Sequence, residues 1–227
     1  MVGRKTLWVF GQSHCLPYNL ENKQKGWDTL LANKLNAKLK NFAKSSSDNL
    51  YIFSTVLQNA NAIKKNDMVI VGWSHPARKS FVYDTVQHKN VLKDSIQYDT
   101  KKHKFIRSKG HPKASLTDSL KKVLSMRPKD SGIAYYDNWY KAYFNPAEQK
   151  INFQSYLLAT KTILPTKKYV PFYFSKASVE DVKHTNNLYV AEFIDKKKVA
   201  ISKSDAHMNN DGHSQWCKKL YNKLVLL

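Results

Sequence analysis

The stretch LWVFGQSHC, Leu7 to Cys15, decides how the rest of the chain is read. TLWVF (Thr6 to Phe10) has the make-up of a short buried strand. It runs straight into glycine, an amide, a hydroxyl, an imidazole and a thiol. A turn explains such a cluster in most proteins. Chemistry at the end of a strand explains it in some, and the neighbouring segments decide between the two.

Working outward, GWDTLLANKLNAKL (Gly26 to Leu39) repeats Trp27, Leu30, Leu31, Leu35 and Leu39 at helical spacing, which predicts an amphipathic helix. KNFA (Lys40 to Ala43) reads as a short strand. SSSDNLYIFSTVLQNANAI (Ser45 to Ile63) begins with residues that can cap a helix. Leu50, Phe53, Leu57 and Ala60 then line up as its apolar stripe. DMVIVGW (Asp67 to Trp73) is the clearest strand. Strand, helix, strand, helix, strand within some seventy residues predicts a parallel sheet covered by helices. The expected fold class is therefore α/β: a three-layer, flavodoxin-like parallel sheet in a single domain over residues 1–227. A basic, aromatic-rich helical insertion is expected at about residues 80–165.

That middle is rich in lysine. Residues 85–130 hold twelve Lys/Arg against four Asp/Glu, with His88, His103 and His111 among them. SLTDSLKKVLSM (Ser115 to Met126), GIAYYDNWYKAYF (Gly132 to Phe144) and INFQSYLLATKTIL (Ile151 to Leu164) read as helices. The aromatic density of the last two favours core packing over a substrate-facing wall. YVPFYF (Tyr169 to Phe174) reads as a strand that Pro171 pushes to an edge or a bulge. NNLYVAEFID (Asn186 to Asp195) fits more than one element. A last helix starts near Gly212, with Trp216, Leu220 and Leu224 inward and Lys218, Lys219, Asn222 and Lys223 outward.

The composition narrows the class. Of 227 residues, 42% are hydrophobic and 12% aromatic, enough for a sizeable core and unlike a disordered chain. The only cysteines, Cys15 and Cys217, do not make a disulfide framework, and a reducing compartment is the simpler expectation. No apolar run reaches membrane-span length, and the strand within the first ten residues does not read as a signal peptide. A cytoplasmic or virion-associated protein is expected. The 38 Lys+Arg against 17 Asp+Glu, a formal charge of +21, favour anionic surroundings. Many lysines stand beside asparagines, as a low-GC coding bias would also produce.

In a parallel α/β sheet, loops after the carboxyl ends of the strands build the site. Here they carry Gly11-Gln12-Ser13-His14-Cys15, then NFAKSSSDN (Asn41 to Asn49), then Gly72-Trp73-Ser74-His75-Pro76-Ala77-Arg78. A fourth polar cluster, SDAHMNNDGH (Ser204 to His213), precedes the last helix. This set resembles the SGNH, or GDSL-like, serine hydrolase family, in particular its bacteriophage versions. GQS matches the family's Gly-Asp-Ser, which implies that Ser13 is the nucleophile. Asn41, Ala43 and Asn49 match the second block, with Ser46 at its oxyanion glycine. Gly72-Trp73-Ser74 followed by Arg78 matches the third. His207-x-Asn209 matches the last, with Asp205 two residues before His207. The resemblance covers Leu7 to Arg78 and Ser204 to Leu227.

It implies ester hydrolysis by Ser13, His207 as base and Asp205 as its orienting acid. The oxyanion would be bound by the Ser13 and Ser46 backbones and the Ser74 side chain. His14, Asn49, Trp73, His75 and Arg78 would meet the substrate, a small O-acyl ester on a sugar or another carrier, with host surface carbohydrate one candidate. No cofactor is required, and no spacing of Cys, His and carboxylates matches a zinc site. Three departures stand out: Gln12 for the family's usually structural aspartate, Ser74 for its oxyanion asparagine, and an Asp-to-His spacing one residue short. Asp211-Gly212-His213 is a rival acid–base pair, although His213 also suits packing at the start of the last helix. Cys15, two residues after Ser13, is a second nucleophile candidate or a small packed residue.

The alternative function is an SGNH-like virion-structural or binding module with weak or lost catalysis, holding virion proteins or nucleic acid through its basic surface. That alternative predicts DNA binding that falls steeply as salt rises from about 50 to 200 mM. Fluorescence anisotropy of a labelled duplex measures it, and salt-independent or undetectable binding removes nucleic acid as the partner.

Overall fold

The computed structural model describes residues 4–17, 25–45, 47–76, 78–79, 96–99, 104–106, 145–174, 176, 188–202 and 205–227. Four parallel strands form the central sheet: β1 (Thr6–Gly11), β2 (Lys38–Asn41), β3 (Met68–Trp73) and, later in the chain, β7 (Tyr169–Tyr173). Their spatial order is β2-β1-β3-β7, all pairs parallel. This is the flavodoxin-like order, and its switch point lies between β1 and β3. Because side chains alternate across a strand, the sheet feeds two cores. Leu7, Val9, Met68, Ile70, Val170 and Phe172 face one side, and Trp8, Phe10, Val69, Val71, Trp73 and Tyr173 face the other.

On the first side lie α1 (Trp27–Lys34), α4 (Val190–Lys197) and α5 (Asn210–Val225). They bury Trp27, Leu31, Phe193, Ile194, Trp216, Leu220 and Leu224 there. On the second side lie α2 (Asn49–Asn59) and α3 (Pro146–Ile163), which contribute Ile52, Val56 and Phe153. The three-layer α/β arrangement matches the expectation, and the aromatic residue Phe153 of INFQSYLL is core. Pro171 sits in β7, the edge strand next to β3, where a missing N–H costs least. Between β3 and α3, β4 (Arg78–Lys79), β5 (Ile96–Asp99) and β6 (Lys104–Ile106) pair antiparallel in a small separate sheet. The expected insertion is thus not purely helical. The helices expected over 115–126 and 132–144 lie outside the described residues.

Three element expectations change for identifiable reasons. The first helix stops at Lys34 rather than Leu39. Asn36 adopts a left-handed conformation (φ 48°), and the Ala37 N–H reaches back to the Ala32 carbonyl at 2.9 Å, a Schellman-type stop. Leu39 therefore lies in β2, which spans 38–41. In α2 the stripe through Leu50 and Leu57 is not the buried face: these are 41% and 52% exposed, whereas Asn49, Ile52 and Val56 are buried. The helix is turned by its first residue. Asn49 donates to the Ser74 carbonyl at 3.1 Å and accepts from the Ser74 N–H at 2.8 Å, clamping that face to the end of β3. Within NNLYVAEFID, Val190 to Asp195 form the first six residues of α4, Tyr189 caps it, and Asn186 and Asn187 lie outside the described residues.

Caps follow local sequence. Asp48 accepts from the Tyr51 N–H, Asn145 from Ala147 and Glu148, and Asn209 from Gly212. At the opposite end of the sheet from these loops, one buried carboxylate ties the strands together. Asp67 accepts from the Thr6 N–H (2.9 Å), the Trp8 indole N–H (3.0 Å) and the Lys64 N–H (3.0 Å). Its own carbonyl accepts from the Thr166 hydroxyl at 2.7 Å. Asp67→Ala strands these donors, including a buried indole, and is expected to lower stability by about 3 kcal/mol. Urea denaturation checks this, and a loss below about 1 kcal/mol refutes the carboxylate's role.

Candidate active site

The loop after β1 depends on a hollow between two strands. Gly11 and Gly72 are register partners on β1 and β3. A Cβ on either would collide with the Cys15 sulfur, and one on Gly72 would also strike the Phe172 ring. Gly11 also holds φ +152°, which side-chain-bearing residues rarely adopt. With both side chains missing, the Ser13–Cys15 turn of 3₁₀ helix folds back against the sheet. Cys15 is fully buried and its thiol points to the Phe10 carbonyl at 3.6 Å. Burial, with Asp28 nearby, pushes the thiol pKa far up, so Cys15 is a packed residue and not a nucleophile.

Asn41, at the end of β2, locks this loop in place. Its amide nitrogen donates to the Cys15 carbonyl (2.8 Å) and to Asp28 Oδ2 (2.9 Å), while its oxygen accepts from the Ala43 N–H (2.8 Å). The Trp27 indole donates to the His14 carbonyl at 2.8 Å. Gln12, Ser13 and His14 are all buried. The Ser13 hydroxyl donates to Gln12 Oε1 at 2.8 Å.

The candidate pair Asp205 and His207 comes from a hairpin, β8 (Ala200–Ser202) with β9 (Asp205–Met208). Positions two apart on a strand share a face, so Asp205 and His207 project from the same side of β9. His207 Nδ1 lies 2.6 Å from Asp205 Oδ1, which also accepts the His207 backbone N–H at 3.0 Å. A carboxylate only accepts, so the neutral ring carries its proton on Nδ1 and its lone pair on Nε2, the state a general base needs. The His207 ring lies against the His14 ring, centroids 4.9 Å apart, which brings β9 beside the Ser13 loop. The Phe174 ring also contacts His14, centroids 5.6 Å apart.

The rival pair does not assemble. Asp211 and His213 lie on α5, where residues two apart point in different directions. His213 is buried and its Nδ1 accepts from the Trp27 N–H at 3.2 Å. It packs at the start of the last helix and ties α5 to α1.

The remaining candidates fall into three groups. Ser74 follows β3 with its hydroxyl buried and, among the described residues, without a hydrogen-bond partner. Asn49 has both ends of its amide engaged by the Ser74 backbone and so acts as a clamp. Trp73 is a correction: its side chain belongs to the second core, on the face of the sheet under α2 and α3, edge-on to Phe153, with its N–H 3.4 Å from the Tyr169 hydroxyl. His75 is half-buried just after Ser74. Arg78 is placed by its backbone in β4, and Ser46 lies outside the described residues. Sequence reasoning passed over Gln12 as structural and gave no role to Asp28 or Phe174. A buried acid in the first turn of α1 has no periodic signature that would have revealed it.

No protein-family model matches the chain, and no curated protein does. Among solved structures, it is similar to a member of the lipolytic protein G-D-S-L family from Veillonella parvula DSM 2008, at 11% identity over 98% of this chain and 97% of that one, with a TM-score of 0.36. It is likewise similar to a G-D-S-L family protein from Desulfitobacterium hafniense DCB-2, at 12% identity over 99% and 100%, also with a TM-score of 0.36. Likeness at this distance transfers no residue's role.

Burial and the neighbouring His207 lower the His213 pKa from 6.5 to about 4. The unfolded chain thus binds a proton between those values that the folded chain refuses. Stability falls as pH drops through that window, by about 2 kcal/mol between pH near 7.5 and pH near 5 from this residue alone. Urea denaturation of wild type and His213→Gln at both pH values measures it. The variant should lose most of that difference, and an equal pH dependence in both proteins would exclude His213 as its source.

Proposed function

We propose that the protein is an SGNH-like serine hydrolase that cleaves a small O-acyl ester. The observation that carries this reading is the Asp205–His207 couple, held at 2.6 Å in the base-competent orientation and packed beside the loop that bears Ser13. The Ser13 loop follows the carboxyl end of β1 next to the β1/β3 switch point, where sheets of this order bind ligands, and the His207 ring packs against that loop through His14. In the reaction, the Ser13 hydroxyl leaves Gln12 Oε1 and gives its proton to His207 Nε2. Oγ attacks the acyl carbon, the alkoxide takes the proton from His207 and departs, and water repeats the sequence to release the acid. Asp205 holds the ring and stabilises the imidazolium. The burial of Gln12, Ser13 and His14 suits a small acyl group, and the charge of +21 suits an anionic carrier such as an acidic glycan.

The Ser13–Gln12 hydrogen bond favours a second reading, a binding module on the same scaffold. There the serine proton is offered to an amide, which cannot take it. Hydrolysis of p-nitrophenyl acetate separates the two. Turnover is expected in the wild type, with Ser13→Ala and His207→Ala each lowering kcat by at least about 1,000-fold. Wild type that neither turns over nor labels at Ser13 with a fluorophosphonate establishes the binding module instead.

A further inference from the structure

Gln12 is among the most deeply buried polar side chains of the described chain, at 1% exposure. One lobe of its amide has a clear occupation: Oε1 accepts the Ser13 hydroxyl at 2.8 Å. The other lobe, Nε2, is buried and, among the described residues, has no hydrogen-bond partner. Leaving an amide N–H₂ buried and unsatisfied is costly, and native proteins rarely tolerate it without a use. Ser74 Oγ is in the same condition at the end of β3. Gly11 and Gly72, which immediately precede Gln12 and Trp73-Ser74, are register partners, so both orphaned groups sit at the carboxyl ends of adjacent strands flanking the switch point. Both are hydrogen-bonding groups that the described residues leave unused at the two loops nearest Ser13.

We propose that the Gln12 side-chain amide donates a hydrogen bond to the substrate's acyl carbonyl oxygen and to the oxyanion that it becomes. This rests on Ser13 being the nucleophile. The resting Ser13–Gln12 bond orients the amide with its acceptor towards the serine and leaves its donor lobe for the substrate. When Oγ forms its bond to the acyl carbon, the hydroxyl proton goes to His207 Nε2 and the carbonyl π electrons move onto oxygen. Nε2–H meets that charge, and the Ser74 hydroxyl is placed to add a second donor. Collapse returns the electrons to the carbonyl and expels the alkoxide, which takes the proton from His207. Gln12 thereby supplies a long-armed donor on a site whose β3 loop carries only a short hydroxyl.

Two variants test this. Gln12→Glu keeps the size and the acceptor for Ser13 but removes the donor, and Gln12→Met keeps the length with neither. With p-nitrophenyl acetate, kcat should fall about 100-fold in each, with KM within about threefold of wild type. Inhibition by an alkylboronic acid, which forms a tetrahedral adduct on the serine, should weaken by a comparable factor. A merely structural role would not reproduce this split between the tetrahedral analogue and KM. Thermal melts identify a variant that fails to fold, and the remaining variant then decides. Variants that keep kcat within about threefold, or lose only KM, overturn the role of Gln12 while leaving Ser13 in place. Wild type without turnover or Ser13 labelling overturns the nucleophile and the Gln12 role together.

Discussion

The arrangement of this protein turns on the contact between one sulfur atom and two glycines. Gly11 and Gly72 face each other across β1 and β3, and the Cys15 thiol occupies the space where their side chains would be. Any Cβ there would push the Ser13–Cys15 turn off the sheet. The loop could then no longer fold back, and Ser13, His14 and Gln12 would lose their buried positions. Cys15 is thus valuable as a small, inert, well-buried group, and burial suppresses the thiolate that would make it reactive.

The sheet is held at both ends by polar side chains, each with several partners. Asp67 gathers three N–H groups at the amino ends of the strands. Asn41 links three segments at the carboxyl ends. Between them the strands are held mainly by apolar packing, with Trp8, Phe10 and Phe42 stacked along one face and Trp27, Phe172 and Trp216 interlocked edge to face on the other. Directional bonds at the ends position the loops, while the non-directional burial between them supplies most of the stabilisation. The Asn49 clamp on Ser74 extends the same device to the loop after β3.

Three histidines meet near the loop and have different tasks set by their partners. His207 is oriented by a carboxylate, His14 contacts the rings of His207 and Phe174, and His213 is kept neutral by burial while accepting a backbone N–H. A neutral His213 places no positive charge beside the His207 ring.

Much of the fold was legible in the sequence because the dominant signals are local. TLWVF and DMVIVGW announce buried strands, Trp216, Leu220 and Leu224 trace a helix face, and the strand–helix alternation leaves little choice but a parallel sheet. Ser13, His207 and Asp205 were singled out because their short polar clusters resemble one family's motifs, and the fold then sets the His207 ring against His14 beside Ser13. Tertiary structure alone decided the rest. Whether α2 buries Leu50 and Leu57 or Ile52 and Val56 depends on a clamp to Ser74, 25 residues away. Whether Asp205 or Asp211 meets a histidine depends on one pair lying on a strand and the other on a helix. Whether Trp73 faces a ligand or the core, and which lobe of Gln12 is occupied, depends on contacts that arise only once β1 and β3 are side by side. Periodicity reports which residues can share a face, and only packing decides what that face meets.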